Sequence, residues 1–209
     1  MESETSILFA PGAGAASSSS WMQGWGRRLG AFGSVEFLDY PYMLAGRRTP
    51  DKQAVLVSAH RQAYERLRQN AGKLVLAGKS MGGRMGCHVA NEVVDKPAAL
   101  VCFGYPLVGQ NGRLRDEVLR ALTTPILFIQ GTRDALCPLP KLEALLPELR
   151  TQHALHVVEG GDHSLVVAKL TLRARARTQS DVDDEITGAI ARFLRELPDT
   201  TAASGPRSS

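Results

Sequence analysis

Short apolar runs alternate with longer amphipathic stretches along almost the whole chain, and this rhythm restricts the fold more than any other feature. Most of the runs are continuously apolar rather than alternating, which is typical of strands covered on both faces. The candidate strands span residues 7–10, 35–40, 74–78, 99–106, 125–131 and 154–160. Helical patterns lie near residues 20–31, 51–70, 81–93, 114–122, 140–149 and 181–196. This order predicts an α/β fold with a mostly parallel six-stranded sheet and helices on both faces.

The domain organisation follows from the same pattern. No internal repeat and no linker divides the 209 residues, so we expect one domain over residues 1–197. The remaining stretch, 198–209, is small and polar, and we expect it to be a disordered tail.

Composition excludes several classes of protein. The net charge is +4, but the basic residues are mostly scattered and aromatics make up only 6%, so we expect no nucleic-acid partner. No apolar run approaches the roughly 20 residues that span a bilayer, so we expect no membrane partner. The three cysteines, Cys87, Cys102 and Cys137, lie far apart, which suits a reducing compartment and predicts no metal site. The acidic start "MESETS" contains no secretory signal, and we expect a cytoplasmic protein, with the nucleus as the alternative.

The stretch "LVLAGKSMGGR", residues 74–84, has two interpretations. Gly78-Lys79-Ser80 ends like a phosphate-binding loop, but that loop needs a glycine five residues before Gly78, where Lys73 stands. The intervening residues are also strand formers. The alternative is the G-x-S-x-G turn between a strand and a helix, which exposes a nucleophilic serine. The apolar strand before Ser80 and the helical pattern after it favour this second interpretation.

A serine nucleophile needs a base and a group that orients the base. In folds with this turn they follow in the order serine, acid, histidine, each after a later strand. Asp134 follows "PILFIQG", and His163 follows the last predicted strand and two glycines. We therefore predict the catalytic residues Ser80, Asp134 and His163.

Other titratable residues fit these roles less well. Adjacent side chains rarely adopt a triad geometry, so Asp162 is a poor acid for His163, and Cys137 is expected to be a pocket or core thiol. The remaining histidines lie on predicted helices or at the start of the last strand: His60, His88, His153 and His156.

An oxyanion needs two backbone donors, and we predict the amides of Met81 and Ala13. Gly12 and Gly14 would allow the close approach of substrate to the loop after the first strand. The same loop imitates a dinucleotide fingerprint together with Asp39 on the next strand, but the third glycine is missing.

The chain resembles a small α/β-hydrolase family that includes testis-expressed protein thirty and subunit three of the NSL chromatin complex. The stretches that carry the resemblance include "PGAGAASSSSWMQGW", "LDYPYM", "LVLAGKSMGGRM", "PILFIQGTRDALCP" and "GGDHSLVVAK". The resemblance implies a core without a lid or cap domain and without the first two strands of the full eight-stranded sheet. It also implies a triad of Ser80, Asp134 and His163, with Gly12–Gly14 as the oxyanion loop. The chain departs from many relatives at Pro11, where they have His, and has Lys79 at the variable position of the turn.

We therefore expect a serine hydrolase without a cofactor that acts on a small-molecule ester or thioester. The pocket walls are predicted from aromatic residues near strand ends or the oxyanion turn: Trp21, Tyr40, Tyr42 and Tyr105. If Lys79 points inward, it favours an acidic substrate. The alternative is an interaction subunit with little activity, which would use the basic loop "KLTLRARAR" (169–177) to bind a protein partner. The alternation within that segment also fits an edge strand.

Overall fold

The computed structural model describes residues 5–109 and 111–197. Within these ranges the strands are β1 (Thr5–Ala10), β2 (Ser34–Phe37), β3 (Lys73–Lys79), β4 (Ala99–Phe103), β5 (Ile126–Gly131) and β6 (His153–Val158). The helices are α1 (Ser20–Leu29), α2 (Pro41–Leu44), α3 (Gln53–Arg68), α4 (Met81–Glu92), α5 (Glu117–Arg120), α6 (Leu139–Leu145), α7 (Lys169–Ala174) and α8 (Gln179–Arg195). A short 3₁₀ turn, Leu146–Glu148, follows α6. The predicted tail, 198–209, lies outside the described residues.

The six strands form one parallel sheet in the order β2-β1-β3-β4-β5-β6. The chain runs outward from β1 to β2, then crosses back to β3 on the other side of β1. Every pairing is parallel, so the prediction of a mostly parallel sheet with helices on both faces is confirmed. In such open sheets, ligand sites lie beyond the carboxyl ends of the strands.

Two apolar layers cover the sheet and explain why its inner strands are mostly apolar. Along β3, Leu74 and Leu76 pack into a layer with α3, α4 and α6. The intervening Val75 and Ala77 pack on the opposite face with α1 and α8. Because alternate side chains point to opposite faces, a strand buried on both sides needs apolar residues at every position. The described residues form one compact domain, and they contain no insertion that makes a separate lid.

Element boundaries differ from the sequence prediction where local backbone geometry decides. β4 ends at Phe103 because Gly104 takes a left-handed conformation, with φ +63. The short helix α2 was not predicted, and Pro41 at its first position suits a helix start. Helix α8 begins at Gln179, two residues before the predicted start, because Thr178 and Asp181 form a reciprocal capping box.

The prediction of a loop or edge strand over residues 169–177 is wrong for residues 169–174. Residues Lys169–Ala174 form helix α7, and Leu172 is buried against the layer that contains α8. The alternation of Leu and Ala with other residues in this segment therefore does not indicate a strand, because it also fits a short helix that buries only Leu172.

Candidate active site

Ser80 lies at the sharp turn between β3 and α4. Its backbone has φ +50 and ψ −113, a conformation that is strained for any residue with a side chain. The Ser80 amide donates to the Phe103 carbonyl at 2.9 Å, which ties the turn to the end of β4. The Ser80 carbonyl accepts from the Arg84 amide at 3.1 Å, the first bond of α4. The neighbouring sheet and helix thus hold the serine in its strained position.

The glycines of the G-x-S-x-G motif are required by close backbone packing. A Cβ added at Gly78 would lie 2.7 Å from the Gly83 Cα and still closer to the Gly83 amide nitrogen. One added at Gly82 would lie 2.6 Å from the Ala10 carbonyl carbon, at the end of β1. Real Cβ atoms essentially never approach backbone this closely, so both positions exclude larger residues at this spacing.

The structure brings Ser80, His163 and Asp134 together in one chain of hydrogen bonds. His163 Nε2 lies 2.8 Å from Ser80 Oγ, and His163 Nδ1 lies 2.8 Å from Asp134 Oδ2. An ionised carboxylate only accepts hydrogen bonds, so the imidazole proton belongs on Nδ1. The lone pair of Nε2 is then free to accept the Ser80 hydroxyl proton.

Asp134 is buried, with 3% of its surface exposed, and both of its carboxylate oxygens accept hydrogen bonds. Burial raises the pKa of its carboxyl, but hydrogen bonds from His163 and Gln130 outweigh burial, and the resulting pKa lies below the usual value. Gln130 Nε2 donates to Oδ2 at 2.7 Å, and the Leu136 amide donates to Oδ1 at 2.8 Å. The lowered pKa keeps the group that faces the imidazole ionised.

The loop that carries His163 is held by its neighbours. The Asp162 side chain accepts from the Ser164 amide at 2.7 Å and from the Val166 amide at 3.0 Å, so it shapes the loop instead of contacting the histidine. Trp21 Nε1 donates to the Ser164 carbonyl at 2.9 Å. These bonds tie the histidine loop to the first turn of α1.

The loop after β1 lies beside Ser80. A Cβ added at Gly12 would be 3.5 Å from the Ser80 Cβ. The Tyr42 hydroxyl donates to the Ala13 carbonyl at 3.1 Å, which fixes the orientation of the Ala13–Gly14 peptide. Met81 is the first residue of α4, so its amide has no acceptor within the helix.

The far end of the same loop is fixed by Asp39. Its two carboxylate oxygens accept from the amide and the hydroxyl of Ser17, both at 2.7 Å. Asp39 thus has a structural partner within the protein, in place of the ribose that the dinucleotide interpretation required.

A cleft of about 390 Å³ opens above Ser80 and His163. Its remaining lining residues come mainly from the loop after β1 and the start of α1: Gly12, Ala13, Gly14, Ala15, Ser19, Ser20, Trp21, Met22, Lys79 and Leu136.

The aromatic residues predicted as pocket walls divide into two groups. Trp21 lines the cleft. Tyr42 is buried behind the loop after β1, where it contacts Ala13. Tyr40 and Tyr105 are fully buried and do not line the cleft, because their hydroxyls bind His60 and the Arg115 carbonyl inside the domain. The interpretation of Tyr40, Tyr42 and Tyr105 as pocket walls is corrected accordingly.

The competing titratable residues are not part of this chain of hydrogen bonds. His60 is fully buried against Tyr40, and burial lowers its pKa to about 3. Burial also lowers the pKa of His88 to about 4. Burial raises the pKa of the Cys137 thiol to about 12, which leaves it protonated at neutral pH.

Sequence reasoning missed two residues that support the site. Gln130 stands out as a polar residue within the apolar run of β5, and this was the available signal for a buried hydrogen-bonding role. Ser164 gave no comparable signal, because its contacts with Trp21 and Lys79 join segments 143 and 85 residues apart.

Neither a metal centre nor a membrane span is formed by residues 5–109 and 111–197. No group of three or more histidine, cysteine or acidic side chains in these ranges is arranged to hold a metal ion. None of the helices formed by these residues combines the length and apolarity needed to cross a bilayer.

The strand order, together with a serine at a strained turn after β3, defines an α/β-hydrolase fold. The family model described as an alpha/beta hydrolase domain matches residues 3–194, so the chain belongs to the α/β-hydrolase family.

Solved structures agree with this fold. Dienelactone hydrolase from Anabaena variabilis has a TM-score of 0.70 at 19% identity, covering 94% of this chain and 88% of that chain. Est1E from Butyrivibrio proteoclasticus, with ferulic acid bound, has a TM-score of 0.69 at 16% identity, covering 94% and 90%. The RedJ thioesterase of the prodiginine pathway in Streptomyces coelicolor has a TM-score of 0.58 at 20% identity, covering 78% and 79%. At these identities the likeness establishes the fold alone.

Proposed function

We propose that this protein is a serine hydrolase that cleaves small acyl esters or thioesters. One observation carries the proposal: the hydrogen-bonded series Asp134–His163–Ser80, with both donor–acceptor separations at 2.8 Å, opens into a cleft. No structural requirement of the fold explains why a buried carboxylate, a partly exposed imidazole and a strained serine should meet in this order.

The mechanism follows from the atoms that face one another. Ser80 Oγ attacks the carbonyl carbon, while His163 Nε2 takes the hydroxyl proton and returns it to the leaving oxygen or sulfur. Asp134 holds the proton on Nδ1 and stabilises the imidazolium that forms. A water molecule then hydrolyses the acyl-enzyme by the same steps, with His163 as the base.

The oxyanion of each tetrahedral intermediate would be held by the amides of Met81 and Ala13. Met81 opens α4, a helix of 12 residues whose N-terminal amides point partial positive charge toward the serine. Loss of one such donor typically slows catalysis by about 10²–10³. The modest cleft volume, about 390 Å³, favours a short acyl group. The dienelactone hydrolase and the thioesterase named above support ester and thioester substrates as the class to test first.

Labelling with a neutral fluorophosphonate probe tests the proposal, because the probe reacts with an activated serine. We expect the wild-type protein to label and Ser80→Ala to lose labelling completely. We expect His163→Ala and Asp134→Asn to label at least about 10²-fold more slowly. His153→Ala is the matched control, since His153 lies at the start of β6, at the opposite end of the sheet, and should label like wild type.

Absence of labelling in a folded wild-type protein would refute the hydrolase proposal. In that case the alternative, an interaction subunit of the kind suggested by the resemblance to the NSL subunit, becomes the hypothesis to test. Its candidate contact surface is α7 and the turn after it, where Leu170 is 79% exposed.

A further inference from the structure

Lys79 places a positive charge in the wall of the cleft. It is the last residue of β3, directly before Ser80, and it lines the cleft. Its ammonium lies 4.5 Å from the centroid of the Trp21 ring and donates to Ser164 Oγ at 2.7 Å. The aliphatic stem passes Gly12, where an added Cβ would lie 3.7 Å from the Lys79 Cγ. The charge therefore lies between the two loops that flank the candidate nucleophile.

The partners of this ammonium are neutral. A hydroxyl and an aromatic face orient the group, but neither cancels its charge. Within residues 5–109 and 111–197, Lys79 forms no salt bridge. The residues that line the cleft include no aspartate or glutamate.

Asp162 is the acidic group that acts on Lys79 electrostatically. Burial lowers the pKa of the Lys79 ammonium, and the Asp162 carboxylate opposes that shift. Asp162 is already committed to the amides of Ser164 and Val166, so it acts at a distance and not as a direct counter-ion. A half-buried cation without a paired anion is electrostatically costly, and an anion entering the cleft would relieve that cost.

We propose that Lys79 binds a carboxylate on the substrate, so that the natural substrate is an ester or thioester bearing a free carboxylate. This inference rests on the proposed hydrolase function and names its substrate class. The carboxylate can belong to the acyl part, as in the monoester of a short dicarboxylic acid, or to the alcohol part. Both share one chemistry at Lys79, and matched substrates distinguish them.

A simpler role must be separated from this one. Lys79 also braces the histidine loop through Ser164, so its removal could slow every substrate equally by misplacing His163. The discriminating quantity is therefore a ratio: kcat/KM for a carboxylate ester divided by kcat/KM for its neutral analogue. A bracing role changes both values and leaves their ratio unaltered.

The experiment measures this ratio for monoethyl succinate over ethyl butyrate and for 4-carboxyphenyl acetate over 4-methylphenyl acetate. We expect wild type to prefer the charged ester of at least one pair, and the pair that shows it locates the carboxylate. Lys79→Met should lower that ratio by about 10- to 100-fold, the range typical of a desolvated charge-assisted hydrogen bond. Ser164→Ala removes the brace but keeps the charge, and it should retain the preference. Lys96→Met, in the turn before β4 at the amino ends of the strands, controls for the loss of one positive charge.

Two results would overturn the inference: wild type that prefers the neutral ester of both pairs, or a Lys79→Met ratio equal to that of wild type. Binding provides a readout that does not need turnover. Calorimetry of monoethyl succinate and of 4-carboxyphenyl acetate with Ser80→Ala should give, for at least one of the two esters, a Kd that rises about tenfold when Lys79→Met is added. If fluorophosphonate labelling fails while this binding persists, the hydrolase proposal fails and the carboxylate site stands. If labelling succeeds without this binding, the hydrolase proposal stands and the carboxylate site fails.

Discussion

We expect His60 to make the folded protein sensitive to acid. It is fully buried, its Nδ1 lies 3.1 Å from the Tyr40 hydroxyl, and its Nε2 has no partner among the described residues. Burial disfavours the charged imidazolium and lowers the pKa from 6.5 to about 3. In the unfolded chain the same side chain is exposed and takes up a proton below its ordinary pKa. The unfolded state therefore binds more protons between these two pKa values, and stability falls as the pH falls through 6.5.

The size of the effect follows from the two pKa values. Above pH 6.5 the side chain is neutral in both states and costs nothing. At about pH 5 the unfolded state gains roughly 1.4 kcal/mol for each of about 1.5 pH units, or about 2 kcal/mol in all. That is a large share of the roughly 5–15 kcal/mol by which domains are stable.

The assay is urea unfolding of wild type and His60→Gln at about pH 7.5 and about pH 5. Glutamine does not titrate, and its carbonyl oxygen can accept a hydrogen bond from Tyr40. The variant carries a fixed packing cost, which the measurement at the higher pH gives directly. Between the two pH values we expect the free energy of unfolding to fall by about 2 kcal/mol more in wild type than in the variant.

Subtracting the two pH dependences cancels the other acid-sensitive groups, including His88 and His156, whose pKa values are also lowered by burial. Equal losses of stability in wild type and His60→Gln would refute the reasoning. They would mean either that water reaches the imidazole or that it takes up a proton in the folded state with little penalty.

Two further predictions concern the turn and the loop beside it. Gly82→Ala should destabilise the domain by more than about 2 kcal/mol in urea unfolding, because the new methyl group meets backbone. The control Gly24→Ala lies in open space within α1 and should be neutral or stabilise by up to about 1 kcal/mol, and similar values for both variants would contradict the packing argument. Tyr42→Phe removes the donor to the Ala13 carbonyl and should slow fluorophosphonate labelling by about fivefold, the equivalent of about 1 kcal/mol. The control Tyr64→Phe loses a similar hydrogen bond to the Asp95 carbonyl and should lose stability but label like wild type; equal labelling of the two variants would show that Tyr42 does not support the site.

The sheet could be predicted because burial on both faces leaves a direct trace in sequence. Every strand received a correct approximate position. For the four inner strands the reason is that a short run of apolar residues fits a strand buried on both faces better than an amphipathic helix, whereas the edge strands β2 and β6 contain polar residues and are only partly buried. The boundaries were less certain because hydrogen bonds and single φ angles set them. The predicted strand "ALVCFGYP" continued past Gly104 because hydrophobicity alone gives no sign that the backbone of Gly104 is left-handed and ends β4.

The site was predictable to the extent that it is encoded by order along the chain. Ser80, Asp134 and His163 follow three different strands of one parallel sheet, and the carboxyl ends of such strands meet at one edge. The pocket walls were not encoded in this way. Tyr40 and Tyr42 are two residues apart, and both follow β2, yet one enters the core and the other holds the loop after β1. Whether a tyrosine at this point enters the core or binds the loop depends on its tertiary neighbours, and no local sequence pattern predicts these.

The glycine spacing of the turn links the nucleophile to the proposed oxyanion donor. Gly82 is required because the end of β1 passes so close that an added Cβ would lie 2.7 Å from the Pro11 carbonyl oxygen. The following residue, Gly12, lies beside Ser80, since a Cβ added there would be 3.5 Å from the Ser80 Cβ. A larger residue at position 82 would push β1 and its loop away from the serine and carry the Ala13 amide with them. Gly82 therefore does more than permit a strained turn, since it sets the distance between the attacking oxygen and one of the two amides proposed to receive the developing charge.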